Sequence, residues 1–448
     1  MDRILSEIRV PLRTRVVCPH CWNNFAPEDT LWVAAHPELQ EDPQLGDEQG
    51  RRFLPTRFDV AGNAIDSRGA VCRELACPHC HLRVPRPLFE MTPLFVSIAG
   101  TPSCGKTYFL SSMTWRLRRI MPKYFAMTFT DADPVSNLML NEYENLQFFN
   151  SNPDQPIKLE KTQEHGHLYD TVMYGDELVE YPRPFLFALC PGEIHPNYQH
   201  TKRISRLVCL YDNAGESFEP GKDEATAPVT RHLAQSQVLM FCFDPTQDPR
   251  FRKDCRAQSE DPQVVAQLET RRQEAVFHEM VDRVRKHAGL SQDQKYGRPL
   301  VIIVTKCDVW WRMCAKQKLK PPWTKVQNGD HCALDMTTIN DTSDKVRGLL
   351  WQYSPEIVGA AEAFAERVIY VPVSATGCSP EYDAETGCIL GVRPRDINPM
   401  WAEVPLLVAL ARWGGGMIAY RKNGTSDGDG RARRGVAKEM DYRYPPAS

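Results

Sequence analysis

LFVSIAGTPSCGKT, residues 94–107, joins an apolar run to a glycine-bracketed loop, and an apolar-periodic segment follows it. A strand, then Gly-x-x-x-x-Gly-Lys-Thr, then a helix is the order that wraps backbone N–H groups around the phosphates of a nucleoside triphosphate. In this reading Gly100 and Gly105 permit the tight turns, Lys106 reaches the β- and γ-phosphates, and the Thr107 hydroxyl ligates Mg²⁺. The helix that starts at Lys106 aims its positive dipole end at the anion.

Outward from this loop, short β-rich runs alternate with longer helical patterns. AMTFTDA (126–132), FLFALC (185–190), RLVCLYD (206–212), VLMFCFD (238–244), LVIIVTK (300–306) and VIYVPVSA (368–375) read as strands. Helices are expected over 106–120, 134–149, 263–287, 340–365 and 401–412. This rhythm predicts an α/β domain with a doubly wound, mostly parallel sheet. Only FLFALC and RLVCLYD are close enough in sequence to pair antiparallel.

Three more strand ends carry chemistry. Asp212-Asn213-Ala214-Gly215 offers a carboxylate to hold Mg²⁺ through water and a Gly215 N–H for the γ-phosphate. Thr305-Lys306-Cys307-Asp308 places a carboxylate where it accepts from the N1 and N2 donors of guanine while the Lys306 stem packs on the base. Adenine lacks that donor pair. Ser374-Ala375 supplies a backbone N–H for the guanine O6.

GxxxxGK[ST], DxxG, [NT]KxD and SA in this order resemble the signature set of the Ras-like (TRAFAC-class) P-loop GTPases, over about residues 94–415. The resemblance implies a five- to six-stranded domain that binds GTP or GDP with Mg²⁺ at the carboxyl edge of its strands. It adds Ser103, Cys104 and Tyr108 to the phosphate-loop contacts of Gly100, Gly105, Lys106 and Thr107, and it places Mg²⁺ on Thr107 and Asp212. It also implies Lys106, a loop threonine and the residue after DxxG as the catalytic set. Thr162 is the first choice for that threonine and Thr171 the second.

The chain departs from the family pattern at three places. Thr305 stands where Asn is commonest, and its hydroxyl is expected to tie the base loop to the phosphate loop. Pro102 and Ser103 replace small flexible residues. Glu216 follows Gly215 where efficient hydrolysers carry Gln, and a carboxylate accepts from the attacking water but cannot donate to the transition state. Slow turnover is the expectation.

Cys18-Pro-His-Cys21 and Cys77-Pro-His-Cys80 are the second strong signal. Two C-x-x-C knuckles complete the tetrahedral Cys₄ shell of structural Zn²⁺, so a zinc ribbon is expected over 1–92, with a subdomain inserted in the 55 residues between the knuckles. His20, His79 and His81 are expected to face outward. The acidic stretch after the first knuckle favours a protein partner over nucleic acid.

Composition sets the outer bounds. The chain has 448 residues, 42% of them apolar, and a net charge of −3, so no global pull toward nucleic acid or membrane is implied. No apolar run approaches the ~18 residues a membrane helix needs. A soluble cytoplasmic protein is expected, with its fifteen cysteines reduced or metal-bound. The GTPase domain is expected over 93–420 and a disordered polar tail over 421–448. A zinc ribbon fused to such a domain, with Glu after DxxG, resembles the bacterial double-GTPase family of conflict systems. That resemblance implies a second GTPase chain as partner and a role as a switch in antiviral defence. The rival expectation is a GTP-bound scaffold that never turns over.

Overall fold

The computed structural model describes residues 12–159, 169–213 and 231–421, less 258, 260, 262, 263, 265–271, 327, 328, 384, 385 and 387. Seven strands form the central sheet: β1 (Thr92–Gly100), β2 (Met127–Asp131), β3 (Phe185–Pro191), β4 (Arg206–Asp212), β5 (Val238–Phe243), β6 (Leu300–Val304) and β7 (Val368–Pro372). Their order is β2-β3-β4-β1-β5-β6-β7. The run from β4 to β7 is parallel, while β2 and β3 pair antiparallel at one edge. The edge strand β2 carries the sheet past the five or six strands expected.

The parallel strands read as continuous apolar runs because both of their faces are covered. Every residue of β5 and β6 is buried. One face packs on α1 (Lys106–Phe125) and α7 (Val404–Trp413) through Phe109, Met113, Leu117, Leu407 and Leu410. Beside α1 lies α2 (Leu138–Phe148). Over β5–β7 the other face packs on α3 (Gln273–Ala288), α4 (Cys307–Cys314), α5 (Met336–Tyr353) and α6 (Pro355–Phe364). The single helix expected over 340–365 is two. Pro355 lacks an N–H and disfavours helical backbone at Ser354, which sits at φ −137°, ψ 57°.

Over β3 and β4 the second face meets, among the described residues, only the short helix Arg231–Gln235, whose His232 packs on Tyr211. Leu186, Leu207, Cys209 and Tyr211 pack against Cys18, Trp22, Phe25, Cys77 and Cys80 from the N-terminal segment. That segment is built from short strands. Arg52–Phe53, Leu31–Val33, Leu75–Ala76 and Arg83–Val84 form a four-stranded sheet in that order, and Ala64–Ile65 pairs with Val71–Cys72. A hairpin, Tyr169–Tyr174 with Glu177–Pro182, leans on the same segment, Met173 N–H donating to Gln44 O at 2.8 Å. Among the described residues no helix is long and apolar enough to cross a membrane.

Candidate functional site

The phosphate-type loop leaves β1 at Gly100 and enters α1 at Lys106, as its glycines require. A Cβ on Gly100 would lie 2.6 Å from Cys242 O and 2.9 Å from Cys242 Cβ, so only glycine lets this turn pass against β5. Gly105 caps the helix in left-handed backbone, φ 90°. Ser103 also holds positive φ, 64°. The Lys106 ammonium folds back and donates to Gly100 O at 2.8 Å and Thr101 O at 3.1 Å. It is buried. Cys104 lies buried under the loop. Burial would raise its thiol, but a hydrogen bond with Cys242 and the Lys106 charge bring it down to about 7.

A cavity of about 420 Å³ opens beside this loop. It is lined by Ser103, Cys104, Gly105, Lys106, Thr107 and Tyr108 from the first motif, Thr305, Lys306 and Asp308 from the third, and Ser374 and Ala375 from the fourth. Three segments about 270 residues apart at the extremes thus meet at the carboxyl edge of β1, β6 and β7. Burial pushes the Asp308 carboxyl above its usual range, opposed by its hydrogen bond with Ser374. Lys306, at φ 56°, reaches the fully buried Asp244 carboxylate at 2.6 Å. Burial works against its ammonium, but that carboxylate outweighs it and holds Lys306 above its ordinary range. Ala375 O accepts from Ser112 Oγ on α1 at 2.6 Å, fixing the fourth motif to the first helix.

Asp212 is buried at the end of β4, in register with Ile98, and is not among the cavity's lining residues. Its neighbour Asn213 donates to Ile98 O at 2.9 Å. The carboxylate of Asp212 and the hydroxyl of Thr107 are hard oxygen donors of the kind Mg²⁺ selects. Gly215, Glu216 and Thr162 lie outside the described residues, as do residues 422–448 of the expected tail. Thr171 is not among the residues that line the cavity. It is an exposed hairpin residue opposite Glu180, on the hairpin that leans on the N-terminal segment and away from the cavity lining. Thr305 does not tie the base loop to the phosphate loop, because its N–H (2.8 Å) and its hydroxyl (3.3 Å) both donate to Phe243 O on the adjacent strand.

Sequence reasoning passed over the cover of this cavity. Lys158 and Leu159 line it from one insertion, and Ile389, Gly391 and Val392 from another. Ile157 and Val392 exchange two backbone hydrogen bonds, 3.0 and 2.9 Å, that join the insertions. Leu159 N–H donates to the Tyr108 hydroxyl oxygen at 3.0 Å. Neither insertion carries a motif, so no signal marked them. Asp244 was passed over too, although it stands at the polar end of a buried parallel strand, the place where such sheets put ligand-facing groups.

The four cysteines converge elsewhere. The Sγ atoms of Cys18, Cys21, Cys77 and Cys80 lie within 4.8 Å of one another, all buried. Cys18 and Cys80 are 3.8 Å apart, as are Cys21 and Cys77. A tetrahedral shell with Zn–S bonds of about 2.3 Å has an edge of about 3.8 Å, whereas a disulfide would need about 2.05 Å. The two knuckles repeat each other: His20 N–H and His79 N–H each donate to the first sulfur of their knuckle at 3.4 Å. Trp22 and His81 each follow the second cysteine in left-handed backbone, φ 56° and 60°. Burial raises the Cys18 and Cys80 thiols well above the usual range, which a divalent cation would relieve by displacing their protons. The cluster could therefore hold zinc. His20 does not face outward, contrary to expectation. It is buried, its Nε2 3.1 Å from Arg83 O, because its knuckle is pressed between the N-terminal strands and the sheet.

The chain is thus a mixed α/β protein with a seven-stranded, mostly parallel sheet and a buried Cys₄ cluster that could bind zinc. No family model matches it. It is similar, at 22% identity over 246 residues, to a Mycolicibacterium smegmatis protein provisionally named ESX-1 scaffolding and assembly protein SaeC. The match covers 51% of this chain, which spans 57% of the length of that curated relative.

Proposed function

We propose that this chain is a GTP-binding switch of the Ras-like P-loop class, with a structural zinc ribbon at its N-terminal end. One observation carries the reading: the phosphate-type loop, the TKxD carboxylate and the Ser374-Ala375 turn line one cavity large enough for a nucleotide. The strand order adds support, since β4, β1, β5, β6 and β7 are parallel with the motifs at their carboxyl ends.

In this reading Lys106 leaves its two loop carbonyls for the β- and γ-phosphates, while Thr107 and Asp212 hold Mg²⁺, which neutralises phosphate charge. Asp308 accepts from guanine and Lys306 packs along the base, its ammonium held by Asp244. Thr162 and Glu216 would close on the γ-phosphate and open after slow hydrolysis. Glu216→Gln should raise the single-turnover rate, and an unchanged rate would remove Glu216 as the limiting feature. The resemblance to the double-GTPase family adds a second GTPase chain as the partner class and cell defence as the setting.

A second reading is favoured by the relative's name: a nucleotide-bound scaffold that assembles a complex without turning over. Phosphate release separates the two. A switch releases phosphate and loses that release on Lys106→Ala, whereas a scaffold retains its purified nucleotide intact.

A further inference from the structure

We propose that Gln273 is a positioning residue that locks the phosphate loop in register with the base loop, an inference that rests on the nucleotide assignment above. Gln273 opens α3 and is 2% exposed. Its Oε1 accepts from the Thr101 hydroxyl at 3.1 Å and from the Asp244 N–H at 2.9 Å, while its Nε2 donates to Asp244 O at 2.7 Å. Asp244 in turn holds Lys306 at 2.6 Å through one carboxylate oxygen. The other oxygen accepts from Thr246 N–H at 3.0 Å and Thr246 Oγ1 at 2.6 Å.

Thr101, Gln273, Asp244 and Lys306 therefore form one buried chain of polar contacts between the residue after Gly100 and the lysine of the base motif. Thr305 does not make this connection: its N–H and hydroxyl both donate to Phe243 O. The spacing between the phosphates and the base of a nucleotide is set by covalent bonds, so a site that grips both ends gains affinity when its own ends are held at that spacing beforehand. A glutamine amide suits the task. It offers acceptor and donor on one rigid plane, and here it uses both.

The test combines amide hydrogen exchange of the full-length protein with titrations of fluorescent GDP and ADP. It compares wild type, Gln273→Leu, Thr101→Val and the double variant. Gln273→Leu should speed exchange in 100–107 and 305–308 together, weaken GDP binding about tenfold, as for roughly one to two lost buried hydrogen bonds, and narrow the preference for GDP over ADP. Thr101→Val removes only a hydroxyl and serves where the leucine variant fails to fold. The double variant should be no worse than Gln273→Leu alone, because both substitutions cut the same chain. Faster exchange confined to residues near 273, or strictly additive losses, would overturn the proposal. Absence of guanine binding by wild type would sink the nucleotide assignment instead, and loop exchange would then decide the positioning role alone.

Discussion

The cysteine cluster and the cavity share one sheet but are assembled in opposite ways. Each knuckle is made by four consecutive residues, and sulfurs facing each other across the two knuckles already sit at the separation a tetrahedral metal needs. The cavity draws on segments 270 residues apart, and its central cation is turned onto its own loop carbonyls. One site is a closed, buried Cys₄ cluster that could bind zinc, whereas the other is an open cavity. They also touch. Tyr211, the residue before Asp212, donates from its hydroxyl to Pro19 O at 2.6 Å and accepts from Trp22 Nε1 at 3.2 Å.

Breaking the closed site should have the largest effect. Replacing Cys18 and Cys77 together with serine removes one sulfur from each knuckle. Bound zinc should fall from one per chain to none by elemental analysis, and protection of residues 12–91 should collapse, since a structural zinc contributes on the order of 10 kcal/mol to such folds. A fully stable double variant would mean that the cysteines are packing residues only.

At the open site, Lys106→Ala should lower triphosphate affinity by roughly tenfold to a hundredfold, the size of a lost charge-assisted hydrogen bond or two, with zinc content unchanged. Equal affinity in calorimetry would break the contrast between the two sites. Asp308→Ala should cost guanine nucleotides roughly tenfold and leave adenine nucleotides unaffected.

The same carboxylate predicts a pH dependence. Burial raises the Asp308 pKa, and guanine requires the ionised form, so wild-type GDP affinity should fall as pH is lowered toward that raised value. In the free protein the sign for stability is the reverse. Asp308 favours folding while protonated, and that contribution is lost as pH rises through its folded-state pKa. A GDP affinity profile that Asp308→Ala leaves unaltered would assign the titration to another group.

The smallest effect belongs to the cavity's cover. Gly391 sits at φ 122°, and a Cβ there would meet Ile157 O at 1.9 Å. Gly391→Ala should cost about 1–3 kcal/mol in thermal unfolding and loosen nucleotide binding only modestly. No change in melting would show that the two insertions are not joined as described.

Much of the sheet was legible because buried parallel strands announce themselves as unbroken apolar runs, as in VLMFCF and LVIIV. The knuckles were legible because their ligands are close in sequence. What escaped was tertiary. Nothing local distinguishes Gln273 from a solvated helix residue, since its role exists only where Thr101 and Asp244 arrive from other strands. His20 looked exposed because a knuckle alone cannot reveal the sheet it will be pressed against. The break at Pro355 was visible in the residue itself and was outweighed by the apolar periodicity on either side.

The central claim is that the cavity between Lys106 and Asp308 takes a guanine nucleotide. Equilibrium titration of the nucleotide-free, full-length protein with fluorescent GDP and ADP in Mg²⁺ tests it most directly. The account predicts saturable GDP binding at least tenfold tighter than ADP, as expected for two hydrogen bonds to a carboxylate, with the preference erased by Asp308→Ala. Equal binding of both nucleotides, or binding of neither, would contradict it.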